Sequence, residues 1–96
     1  MRRILALHNS HNASVCEVVD NKIVYFQEAE RIDKKKKSNN WKILLKKYKN
    51  QNFDKVIFVN AFLTATLDIN FGIFKKYLDS LDITYKEAIK ENNHHF

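Results

Sequence analysis

Three short apolar runs within the first 29 residues constrain the fold of this chain more than any other feature. The runs at 3–8, 13–19 and 22–29 each have the length and composition of one strand. Only Asp20 and Asn21 separate the last two, and this pair tolerates the positive φ angles that a tight hairpin turn requires. We therefore predict that the chain opens with a three-stranded antiparallel meander.

The remaining residues alternate between helix and strand patterns. A first helix is predicted after residue 37, with Ser38 or Asn39 as its cap and with Trp41, Leu44, Leu45 and Tyr48 on its apolar face. Residues 55–59 are continuously apolar after Lys55, which is typical of a strand covered on both faces, and such a strand should lie parallel to its neighbour.

A second helix is predicted over 68–81, and Gly72 is its weak point. Its predicted buried face consists of Ile69, Ile73, Phe74, Tyr77, Leu78 and Leu81. Residues 83–91 fit either a helix or a strand, and we favour a strand that ends near Lys90. The order of elements is thus a meander followed by helix, strand, helix and strand.

Length, cysteine content and charge restrict the class of protein. A chain of 96 residues is one domain or part of one. Cys16 is the only cysteine, so no intrachain disulfide can form, and we expect a small buried side chain in a reducing compartment. The apolar stretch that follows Arg2 and Arg3 ends at His8, too early for a signal peptide or membrane span, so a cytoplasmic location is expected.

The net charge of +6 gathers in two lysine clusters, at 34–37 and 42–49. A basic surface suits nucleic acids, but anionic small molecules such as nucleotides and carbamoyl phosphate need the same field. Charge alone therefore leaves both classes of partner open.

The connection between the first two predicted strands is rich in functional groups. Between His8 and Ser14 it carries two imidazoles, two carboxamides and two hydroxyls, far more than a plain turn needs. Loops that rigid strands hold in place commonly carry binding chemistry.

Three motifs resemble the amino-terminal end of the NodU and CmcH type O-carbamoyltransferases. His11-Asn12-Ala13-Ser14 matches the end of that family's first loop, and it is followed in order by Gln27-Glu28-Ala29-Glu30-Arg31 and by the basic run 34–37. The ending Asn93-His94-His95-Phe96 resembles the start of the family's His-His-x-x-His-Ala metal motif. The resemblance implies an α/β fold in which residues 1–96 are the first part of an actin-like, or ribonuclease H-like, ATPase domain.

The family's activity is the transfer of a carbamoyl group to a hydroxyl acceptor. The resemblance implies that a second, YrdC-like domain makes carbamoyl adenylate from carbamoyl phosphate and ATP, and that the actin-like domain then transfers the group. This chain would be an amino-terminal fragment or a shortened relative, inactive alone, with the missing remainder of the enzyme as its partner.

The resemblance assigns roles to five residues. His11 would be the general base, since an imidazole with a pKa near ~6.5 suits proton abstraction at neutral pH. Asn12, Ser14 and Lys36 would bind substrate or nucleotide; Lys36 is the closest match to the family's basic position, and Lys35, one residue away, could take the same role. His94 would be the first ligand of a divalent metal, iron in the family, and this chain alone should hold that metal weakly or not at all.

Other interpretations compete with these roles. His11 could merely cap the hairpin, and His8 is expected to be structural. Arg31 could bind an anion, but we favour a pair with Glu28 or Glu30, which are expected to share one strand face. The chain could instead be a stand-alone binding module that holds nucleic acid or an anionic ligand, with the lysine-rich helix, Trp41 and Tyr48 as its surface. A third interpretation is an inert truncated product with exposed strand edges.

Overall fold

The computed structural model describes residues 1–35 and 38–92, which form an α/β structure around one mixed sheet. The five strands are β1 (Arg3–Asn9), β2 (Ser14–Val19), β3 (Lys22–Glu28), β4 (Asn52–Asn60) and β5 (Thr84–Asn92). Their spatial order is β3-β2-β1-β4-β5. The first three strands are antiparallel, whereas β4 runs parallel to both β1 and β5. The predicted meander, the parallel fourth strand and the final strand are confirmed.

The turn between β2 and β3 has the conformation that its residues favour. Asp20 and Asn21 have φ angles of 50° and 68°, the pair of positive values that a type I′ turn requires. The Asp20 side chain also accepts a 2.8 Å hydrogen bond from the main-chain N–H of Arg2. These contacts fix the hairpin and anchor the start of β1 beside it.

The third strand ends earlier than predicted. Residues Ala29–Asp33 form a short helix, α1. Ala29 is buried, and its N–H donates to the carbonyl of Ala13 at 2.9 Å, so the chain leaves the sheet at this point. The expectation that Glu28 and Glu30 share one strand face is therefore wrong.

The lysine-rich segment forms a short helical stretch, α2 (Lys42–Leu45), which continues as a 3-10 turn over Lys46–Tyr48. Neither Ser38 nor Asn39 caps it, because the helix begins after Trp41 and no side chain bonds to its first turn. The third helix, α3 (Leu67–Ser80), follows a 3-10 turn at Thr64–Thr66 and agrees with the predicted second helix within one residue.

One face of the sheet carries the core of the described residues. Its largest fully buried members are Tyr48, Phe58, Phe74, Leu5, Leu7, Leu44, Leu45 and Leu78. The ring of Phe58 lies 5.0 Å from that of Phe74 and 6.5 Å from that of Trp41, measured between centroids. Helices α2 and α3 thus bury their apolar side chains against the same side of β1 and β4.

Two predictions about burial fail because both helices lie on that one side. Ile69 and Ile73 were expected in the buried face of α3, but 67% and 42% of their surfaces are exposed, since α3 packs through Phe74 and Leu78. The strand β4 was expected to be covered on both faces. Val56 and Phe58 are buried, whereas Ile57, on the other face, is only half-buried.

Candidate functional site

The three parallel strands end at one edge of the sheet, and each of them ends on an asparagine. Asn9 of β1, Asn60 of β4 and Asn92 of β5 are direct neighbours in the strand register. Asn60 is fully buried and Asn9 nearly so. Buried carboxamides require hydrogen-bond partners. The three asparagines lie at the strand ends, where the connecting loops begin.

Asn60 is the centre of this asparagine network. Its Oδ1 accepts hydrogen bonds from Nδ2 of Asn9, at 3.3 Å, and from Nδ2 of Asn70, at 3.1 Å. Its own Nδ2 lies 3.3 Å from the hydroxyl of Thr66 and 3.1 Å from the side chain of Asn92. The network therefore ties the start of α3 and the loop that precedes it to the ends of β1 and β5.

His11 lies in the loop between β1 and β2 and is exposed. Its ring packs at nearly a right angle to that of Phe62, with 5.1 Å between centroids. Phe62 belongs to the connection that follows β4, which starts at Ala61, where the N–H donates to the carbonyl of Asn9 at 2.9 Å. Among residues 1–35 and 38–92, no hydrogen-bond partner of the His11 imidazole is found, and the residue is exposed.

The other predicted residues of this loop are Asn12 and Ser14. Asn12 is exposed, and its main-chain N–H donates to the Ser10 hydroxyl at 3.1 Å. Ser14 is the first residue of β2 and lies opposite His8 in the strand register. His8 is half-buried within the sheet, consistent with the structural role expected for it.

The segment that follows α1 lies against the same loop. Ala13 donates its N–H to the carbonyl of Ser38 at 3.0 Å, and the Ser38 hydroxyl bonds to the carboxylate of Asp33. The hydrogen bonds from Ser38 and from the main-chain N–H of Lys35 hold the pKa of Asp33 below its usual range. Lys35 is exposed and lines an open cleft of about 500 Å³ together with Asp33, Ser38, Asn39, Asn40, Trp41 and Lys42. Lys36 lies outside the described residues.

The predicted metal ligand His94 also lies outside the described residues. Among residues 1–35 and 38–92, no group of three His, Cys, Asp or Glu side chains is placed to share an ion.

The structure also bears on the predicted nucleic-acid surface and on the predicted ion pair of Arg31. Tyr48 is buried, so its ring is unavailable to stack on a nucleic-acid base. Trp41 is half-buried and packs against Phe58 and Tyr77. Within the described part of the chain, Arg31 makes no ion pair with Glu28 or Glu30, contrary to expectation, because α1 redirects the chain between them.

Comparisons with protein-family models, with curated proteins and with solved structures give no match. The helices described here are all too short or too polar to cross a membrane.

Cys16 is only half-buried rather than fully buried, and this burial raises the pKa of its thiol.

Sequence reasoning missed the asparagine network. The signal was present, because each parallel strand carries an asparagine at its last position. It becomes meaningful only when the register places Asn9, Asn60 and Asn92 side by side.

Proposed function

We propose that this chain forms the amino-terminal part of an actin-like, or ribonuclease H-like, domain of an O-carbamoyltransferase, and that its β1–β2 loop is one wall of the transfer site. The sheet order supports this proposal. A three-stranded antiparallel meander whose first strand also pairs with a parallel strand is typical of such domains. In open sheets of this kind ligands bind outside the carboxyl ends of the parallel strands.

The observation that carries the proposal is the exposed His11 imidazole at that edge, held beside Phe62. In the proposed step an acceptor hydroxyl oxygen attacks the carbonyl carbon of carbamoyl adenylate. The bond from that carbon to the phosphate oxygen breaks, AMP leaves, and the hydroxyl proton passes to a nitrogen of His11. A positioned general base of this kind accelerates such a step by about 10²–10⁴-fold.

Neighbouring residues suit an anionic carbamoyl donor. Lys35 and Lys42 border the cleft beside the loop and attract a phosphate group. In the proposal Asn12 and Ser14 contact the substrate, and Lys36 shares the role of Lys35. The ATP that forms the carbamoyl adenylate acts in the YrdC-like domain rather than on this chain.

The first test is to read the coding sequence beyond the Phe96 codon and to express the whole product. Continuation into a YrdC-like domain is expected. Transfer of labelled carbamoyl from carbamoyl phosphate to an acceptor alcohol is then compared between the wild type and His11→Ala. We expect kcat to fall about 10²–10⁴-fold, with the formation of carbamoyl adenylate unchanged. Added imidazole should restore part of the lost rate.

His8→Gln is the matched control, because His8 carries the same imidazole three residues before His11 but lies within the sheet, on β1. It should retain transfer close to the wild-type rate. A reading frame that closes at codon 96 counts against the proposal, and so does a His11→Ala enzyme with wild-type kcat.

A further inference from the structure

The outer edge of β3 is the apolar edge of the described sheet. In the order β3-β2-β1-β4-β5, the strands β3 and β5 have no neighbour on one side among the described residues. Ile23, Val24 and Phe26 of β3 expose 71%, 55% and 57% of their surfaces. The β5 edge instead carries the charged residues Lys86, Glu87, Lys90 and Glu91. An apolar edge with free main-chain groups favours pairing with another strand, whereas charges discourage it.

We propose that two copies of this chain associate by antiparallel pairing of β3 with β3, which joins the two sheets into one continuous sheet. The sequence of β3 is complementary to itself in this direction. With Tyr25 on the twofold axis, Lys22 lies opposite Glu28 of the second copy, Ile23 opposite Gln27, and Val24 opposite Phe26. Opposite charges and pairs of a β-branched with an aromatic residue are the favourable cross-strand combinations.

A bulge in β3 lies next to the centre of this edge. The register between β2 and β3 shifts at Glu17 and Val18, so that Val24 has no partner in β2. Val24 nevertheless remains more than half exposed beside Phe26. Because a twofold interface uses the same edge of both copies, it closes at two chains, and the charged β5 edges at both ends do not extend it.

The test measures self-association of the 96-residue chain by sedimentation equilibrium over a wide concentration range. Lys22→Glu places like charges opposite each other at both ends of the paired strands and should weaken the dimer about tenfold. The double variant K22E/E28K recreates opposite charges in reversed order and should return the dissociation constant to within about threefold of the wild type. Phe26→Thr should also weaken the dimer, because it removes apolar area and keeps a residue that favours strands.

Glu91→Lys is the control, since it reverses the charge of a residue on the opposite edge of the sheet. It should leave the dissociation constant unchanged. Circular dichroism checks that each variant is folded, and Lys22 is an exposed position where a charge reversal is compatible with folding. A chain that stays monomeric at all concentrations overturns the proposal and indicates that the bulge protects the edge. A dimer that ignores Lys22→Glu, or that the double variant fails to restore, overturns the register. This inference is independent of carbamoyl transfer.

Discussion

Replacement of Asn60 by alanine tests whether the asparagine network holds the carboxyl edge of the sheet together. Asn60 is fully buried, and its Oδ1 accepts hydrogen bonds from Asn9 at 3.3 Å and from Asn70 at 3.1 Å. Asn60→Ala removes that acceptor. It also removes the Nδ2 group that lies 3.3 Å from the Thr66 hydroxyl at the start of α3.

The expected loss of stability follows from these contacts. Each hydrogen bond contributes about 0.5–1.5 kcal/mol net, and a buried donor left without a partner costs about 1–3 kcal/mol. Asn9 is the donor most affected because it is nearly buried. Asn60→Ala should therefore lower the free energy of unfolding by about 2–4 kcal/mol, a large part of the ~5–14 kcal/mol typical of a domain of this size.

Urea denaturation followed by circular dichroism measures this difference. The slope of unfolding free energy against urea should stay constant, so that the shift in midpoint reports stability alone. Asn39→Ala is the control, since Asn39 is exposed and its change should cost less than about 0.5 kcal/mol. If Asn60→Ala lost no more than Asn39→Ala, the network would contribute nothing to the stability of this edge, and our account of the network would be wrong.

Two further predictions concern α3 and the start of the sheet. Gly72→Ala should stabilise the protein by about 0.5–1 kcal/mol and raise Tm, because a Cβ there meets nothing within 4 Å and alanine favours the helix; a lower Tm would contradict this. The Arg3 N–H, at 2.8 Å, and then Lys86 hold the pKa of Asp54 below its usual range. The stability that Asp54 gains from its lowered pKa is fully present above the unfolded-state pKa of about 3.9, and it is lost as the pH falls through the lower folded-state pKa. Asp54→Asn should therefore lower the free energy of unfolding near neutral pH and change it very little at the acid end of a series of denaturation experiments.

Local patterns predicted the strands better than the tertiary packing. Asp20 and Asn21 fix a hairpin through their own backbone preferences, so the meander could be predicted from the sequence. The exposure of Ile69 could not be predicted, because apolar residues lie on more than one side of α3 and its packing against the sheet determines which side is buried. The short helix after Glu28 was missed because its position depends on the hydrogen bond between Ala29 and Ala13, sixteen residues apart.

The candidate site was predictable only in part. His11 could be singled out from its motif, and the structure adds the contact with Phe62, which comes from a loop about fifty residues further along the chain. Asn60 has no motif of its own. Its importance comes from a register that pairs it with both Asn9 and Asn92, and single-sequence patterns carry no such information.

The central position of β1 has a consequence for the order of folding. On one side β1 pairs with β2 across a short loop, but on the other side Leu7 must meet Phe58 across about fifty intervening residues. Closing that longer loop costs roughly 2 kcal/mol more in chain entropy than closing the four-residue loop between β1 and β2. The meander should therefore form early and present β1 as a template, and the two parallel strands should join it in the slower, rate-limiting phase.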